Sequence, residues 1–167
     1  MPNTGHEDSS FEAVIAAADY PVCVVTTRKG PQRAGCLVGF TSQVGIDPLR
    51  FLVGISKKNH TFEVAMRAHH LAVHLLGHDQ LSLAALFGTE TGDDIDKFAH
   101  CDWHPGPASL PILDAAAGWF CGRILERHDF GDHVGLLVAP EAGSAPPPRT
   151  RALRYSAVSQ LRPGHEA

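Results

Sequence analysis

The chain has 167 residues, 44% of them apolar, with 18 acidic and 14 basic side chains and a formal charge of -4. That length carries one well-buried core and is too short for two ordinary domains, and scattered basic residues under a net negative charge leave no electrostatic footprint for nucleic acid. No apolar run reaches the ~18 residues of a membrane-crossing helix, and the opening MPNTGHEDSS is polar and acidic rather than signal-like, so no membrane contact is expected and the expected location is cytoplasmic.

Residues 1–10 read as a disordered N-terminal segment. Phe11, Val14, Ile15 and Ala18 then recur at helical spacing, which predicts a short helix. Beyond Pro21, Val22 to Thr27 is a β-branched run, and Lys29, Gly30 and Pro31 turn it into a second strand around Cys36. Cys36 to Phe40 is small and apolar, whereas Thr41, Ser42 and Gln43 bring hydroxyl and amide groups where a buried strand would stay apolar. A turn at Ile46 to Pro48 leads into the apolar run Arg50 to Ile55. That run ends in Ser56, Lys57, Lys58, Asn59, His60 and Thr61, so donors and positive charge collect at one end of the hairpin, as phosphate oxygens require.

Asn59 or Thr61 is placed to cap a helix carrying Phe62, Val64, Ala65 and Met66. His70 to Leu76 reads as a strand, Leu81 to Phe87 as a helix stopped by Gly88, and Thr89 to Asp96 as an acidic surface turn. Three prolines between Trp103 and Pro111 predict a long irregular loop. Ala115 to Leu125 and Val134 to Ala139 are two more apolar runs, joined through Gly131. The segment from Gly143 through three prolines is expected to be extended and exposed, Leu153 to Val158 to add a last strand, and 159–167 to form a tail. Six or seven strands separated mostly by turns predict a mainly β fold, an antiparallel barrel with a few short peripheral helices.

Each polar cluster has an ordinary reading beside a functional one. Thr41 to Gln43 with Ser56 to Thr61 is either a ligand edge or a polar strand end with a helix cap. Gly131, Asp132 and His133 is either a tight turn or a turn that aims a histidine at a ligand. His70, His74 and His78 are spaced by four, which would bring metal ligands together on a helix but spreads them along a strand, and the local pattern favours a strand. His100, Cys101, Asp102 and His104 form a second weak cluster, so no metal is expected. Cys23, Cys36, Cys101 and Cys121 make no CxxC pair and read as reduced thiols. The glycine fingerprints of dinucleotide and P-loop sites are absent, as is a serine nucleophile elbow.

Gly35 to Thr61, Asp96-Lys97-Phe98, Leu110-Pro111-Ile112-Leu113 and Gly131-Asp132-His133 occur in one order. Together they resemble the flavin reductase family with its flavin-binding split-barrel fold, over about Phe11 to Tyr155 of a domain spanning 11–158. The resemblance implies a Greek-key-like split β-barrel and a homodimer that binds FMN, or FAD, and takes hydride from NADH or NADPH. It also implies that reduced flavin passes to a partner monooxygenase. By the same resemblance Gly39, Phe40, Thr41, Ser42 and Gln43 line the flavin ring and ribityl chain. Ser56, Lys57, Asn59, His60 and Thr61 hold its phosphate, and His133 stands on the nicotinamide side as the catalytic residue. Gly45 and Leu49 depart from the serine and proline common in relatives. A flavin- or deazaflavin-binding protein with an oxidase or sensing role, and a non-catalytic dimeric module, are the alternatives.

Overall fold

The computed structural model describes residues 7–89 and 95–161. The expected acidic turn at Thr89 to Asp96 therefore lies mostly outside the described residues, as does the tail from 162 onward. Helix α1 spans Glu7–Ala18, so helix begins four residues before Phe11 and inside the segment expected to be disordered. Seven strands then build one antiparallel sheet: β1 (Cys23–Lys29), β2 (Gln32–Val38), β3 (Phe40–Ile46), β4 (Leu49–Ser56), β5 (His70–Leu75), β8 (Gly118–Asp129) and β9 (His133–Ser144). Helices α2 (His60–Ala65) and α3 (Leu81–Thr89) flank it, and β6 (Trp103–Pro105) pairs with β7 (Pro111–Leu113) in a small separate hairpin.

The order across the large sheet is β2-β1-β5-β8-β9-β4-β3. Its two edge strands are consecutive in sequence, with Gly39 alone between Val38 and Phe40. Laid flat, seven strands would set those edges about 29 Å apart, and a single residue spans only about 3.5 Å. The sheet must therefore curl until its edges meet. Mainly β, split-barrel architecture follows from that one crossing.

Alternation along each strand fills the barrel: Cys23 and Val25, Cys36 and Val38, Val53 and Ile55, Leu71 and Val73, and Val134, Leu136 and Val138 form one buried cluster. Strand β1 is buried on both faces, because Val22 and Val24 meet Leu83, Ala84 and Phe87 of α3 together with Phe98 and Leu113. This explains its unbroken apolar run. Asn59 caps α2 by accepting from Thr61 N at 2.9 Å, and the Arg127 guanidinium closes the other end on the carbonyls of Ala65 and Ala68.

The Lys97-Phe98 motif is part of the packing. Lys97 is buried and donates to the carbonyls of Phe87 (3.1 Å) and Gly35 (3.3 Å), tying α3 to β2. Phe98 packs edge-on against Phe87 and Trp103, and Arg33 lies 4.7 Å over the Trp103 ring.

Three expectations are corrected. Helix α3 runs through Gly88, where a side chain would lie 2.9 Å from Leu37 Cδ2, so that glycine allows close helix-to-strand packing and is not a stop. The Trp103 to Pro111 loop contains the β6–β7 hairpin, held by Gly106 N donating to Leu110 O at 2.8 Å. Leu153 to Val158 contributes only two isolated bridges nearby and a short helix, α4 (Tyr155–Val158); β9 instead runs on to Ser144.

His74 is buried with both ring nitrogens engaged: Nδ1 lies 2.9 Å from Val24 O, and Nε2 accepts from Leu113 N at 3.1 Å. This pattern fixes the neutral ring, and burial pushes its pKa down to about 4. The unfolded chain takes up a proton as pH falls below about 6.5 while the folded chain does not, so stability present above that pH is lost as pH drops toward 4. The expected loss is about 2 kcal/mol by pH 5. Urea melts of the wild type at pH 7 and 5 should show it, and His74→Gln, though less stable at pH 7, should show a flatter dependence; equal slopes would remove His74 as the cause.

Candidate functional site

Barrel closure leaves a seam, and the candidate site lies on the outer face there. Phe40 on β3, Gly54 on β4 and Gly135 on β9 are directly paired in one row, so all three point to the same face. The two glycines leave that row bare. A side chain at Gly54 would sit 3.1 Å from Phe40 Cβ, and one at Gly135 would overlap the Phe130 ring. An isolated glycine inside the apolar run of β4 is the sequence signal for this close approach.

Two pairs along the same ladder, and so on the same face, Ser56 pairs with His133. The β8–β9 turn aims that histidine: Gly131 takes φ +106°, its N–H reaches Asp129 Oδ1 at 2.9 Å, and Phe130 N donates to His133 O at 2.9 Å. His133 Nδ1 lies 2.8 Å from Asp132 Oδ1, and that hydrogen bond is the leading cause of a lowered Asp132 pKa. The acidic partner makes Nδ1 the protonated nitrogen and leaves Nε2 as an acceptor.

An aromatic series borders the seam. Tyr155 stacks on Tyr20 at 5.0 Å, Tyr20 faces Phe40 at 6.4 Å, and Phe40 faces His133 at 5.0 Å. Two clefts share Phe40, Gly54 and His133. The first, of about 230 Å³, is also lined by Tyr20, Leu37, Gly39, Ser56, Asn59 and Tyr155. The second, of about 390 Å³, is completed by Thr41, Ser42, Leu52, Phe130 and Asp132. Its volume lies in the ~300–1,000 Å³ range of small-ligand sites.

The expected site residues divide between these clefts and other tasks. Gly39, Phe40, Ser56, Asn59 and His133 meet in the first cleft. Thr41 and Ser42 reach the second; strand alternation places Ser42 with Phe40 and turns Thr41 toward an apolar cavity of about 570 Å³ at the barrel mouth, beside Cys23, Phe51 and Val73. The Gln43 amide donates to Gly45 O at 3.0 Å within its own strand. Lys57 pairs with Asp129 at 2.7 Å, His60 stands 3.9 Å from Glu63, and Thr61 is buried. At Gly45, beside the bulge formed by Val44, a side chain would meet Pro48 O at 2.9 Å, which accounts for glycine in this hairpin. Tyr20, Tyr155 and Phe130 had no sequence signal, because tertiary folding alone brings them to β3.

Planar, apolar walls with hydroxyl and amide donors at one end suit a flat heterocycle carrying a polar tail, so the residues present fit a flavin. Among the described residues no group of three or more His, Cys, Asp and Glu gathers as a metal set.

Known proteins resemble this chain in sequence and in fold. An FMN reductase (NADH), RutF, of Klebsiella pneumoniae is 32% identical over 127 residues, covering 76% of this chain and 77% of that protein. The reductase component of a flavin-dependent trigonelline monooxygenase from Acinetobacter baylyi is 30% identical over 120 residues, covering 70% of this chain but 37% of that longer protein. The solved Streptomyces globisporus NADH:FAD oxidoreductase SgcE6 superposes with a TM-score of 0.79 at 20% identity, over 95% of this chain and 90% of that one, and shows the fold. The sequence profile of the flavin reductase like domain matches residues 16–160, and the chain belongs to that family.

Proposed function

We propose that this chain is an NADH-dependent flavin reductase that passes hydride to FMN, or to FAD, within a single domain at 11–158. The observation that carries the reading is the pair of adjoining clefts sharing Phe40, Gly54 and His133, which gives two planar rings a common boundary. Hydride transfer needs two rings in contact and aligned. The bound flavin supplies the redox chemistry itself. The protein's part is orientation and exclusion of water: Gly39, Phe40 and Ser42 border the ring, Thr41 lies beside them, and Ser56 and Asn59 offer donors to a phosphate. Lys57 and Gln43 reach the ligand only by leaving their present partners, and Thr61 is buried away from it.

Asp132 holds the His133 ring through Nδ1, so Nε2 is free to accept from an amide N–H such as a nicotinamide carboxamide. The relatives named as NADH-using reductases and as a monooxygenase component support NADH as donor and a flavin-dependent monooxygenase as consumer of the reduced flavin. Among the described residues no helix is long and apolar enough to cross a membrane, and the free cysteines fit the reducing cytoplasm. A homodimer accounts for the apolar side chains of Val44, Ile46 and Leu49 exposed along the β3 edge, and for Phe11 and Val14 exposed on α1.

Anaerobic mixing of the protein with FMN, FAD or riboflavin and either NADH or NADPH tests the activity directly. Bleaching of FMN or FAD by NADH is expected, and flavin that binds without bleaching would sink the reductase reading. In His133→Ala the KM for NADH should rise roughly tenfold while FMN affinity changes less than about threefold; equal losses in both would remove His133 from the nicotinamide side. Sedimentation of the wild type should give a dimer, and Ile46→Lys should weaken it about tenfold or more; a monomeric wild type would refute the assembly.

A further inference from the structure

Tyr20 enters the first cleft from outside every motif considered above. It follows α1 and precedes β1; Tyr155 N donates to Tyr20 O at 2.9 Å, and the preceding residue is held too, Arg154 donating to Asp19 O at 2.6 Å and Ser156 N to Asp19 Oδ1 at 2.8 Å. Its ring is held just as closely. Tyr155 stacks on it at 5.0 Å, Phe40 stands 6.4 Å away, and its edge occupies the space a side chain at Gly39 would take, 2.5 Å from that Cβ position. The hydroxyl has no hydrogen-bond partner among the described residues, although the ring is half-buried and lines the cleft with Ser56, Asn59 and His133.

A rigidly held phenol with an unused donor at a cleft wall is placed to bind. Resting on the flavin reading above, we propose that Tyr20 is a cofactor-binding residue: its hydroxyl donates to an acceptor atom of the bound flavin, and Gly39 is glycine so that this ring can stand at the seam. Burial raises the Tyr20 pKa, so the hydroxyl keeps its proton across the neutral range.

Three variants test this by titration of apoprotein with FMN, followed by flavin fluorescence and the visible absorption bands, with thermal melts as a check on folding. Tyr20→Phe keeps the ring and removes the donor. Its FMN dissociation constant should rise about five- to tenfold, with a smaller band shift on binding and an unchanged melt. Gly39→Ala pushes on the ring and should weaken FMN at least as much. Gly54→Val fills the floor of both clefts and should abolish binding. Wild-type affinity and band shift in Tyr20→Phe, with binding lost in Gly54→Val, would overturn the role of Tyr20 and leave the cleft reading standing. Wild-type binding in Gly54→Val would overturn the cleft as the flavin site and the role of Tyr20 with it.

Discussion

The crossing at Gly39 is the constraint on which the remaining architecture depends. One residue joins strands that the pairing order puts at opposite edges of a seven-stranded sheet. The edges meet because the chain is too short for any other arrangement, and the enclosed side chains from β1, β2, β4, β5 and β9 become a core. The same crossing sets the address of the candidate site. Phe40 is the first residue after the seam, and the β8–β9 turn delivers His133 within 5.0 Å of it. Barrel closure and the candidate site share one crossing in this chain.

Around that seam the charged residues largely serve one another. Lys57 is matched by Asp129 and Asp132 by His133, and at the far end of β2 Arg33 stands 3.9 Å from Asp96 while lying over Trp103. Ser56, Asn59 and the Tyr20 hydroxyl, which line the first cleft, are neutral. A site of this composition selects by shape and hydrogen-bond direction more than by field strength, which agrees with chemistry in which the reacting groups belong to the bound rings.

The hairpins were legible in the sequence because their turns carry Gly30, Pro48 and Gly131 and their strands alternate. Val22 to Thr27 and Arg50 to Ile55 are β-branched or aromatic enough to leave little doubt. The edges of elements were less so. Strands β8 and β9 continue beyond their apolar runs into Arg127 and Ser144, where pairing between two long strands sustains them without burial. Lys97 stands in the sequence only as part of a family motif, and only the fold shows carbonyls from β2 and α3 converging on it. For the site, family motifs led to His133, Gly39, Phe40, Ser56 and Asn59. They said nothing of Tyr20, Tyr155 or Phe130, whose nearness to β3 comes from contacts between distant parts of the chain. Thr41, Ser42 and Gln43 looked like one polar patch as letters, yet a strand sends neighbours to opposite faces.

The bulge at Val44 has a bearing on assembly. Beyond the crossing at Gly39, strand β3 pairs only with β4 and its other edge is open, and a straight edge offers main-chain groups at a regular repeat to any extended chain, which can then add strands without limit. Val44 is the extra residue between the pairs Gln43–Phe51 and Gly45–Arg50, and it breaks that repeat midway along a seven-residue strand. What remains on either side is too short to template a growing fibril. The bulge thereby guards the edge against runaway strand addition without any need to cover it.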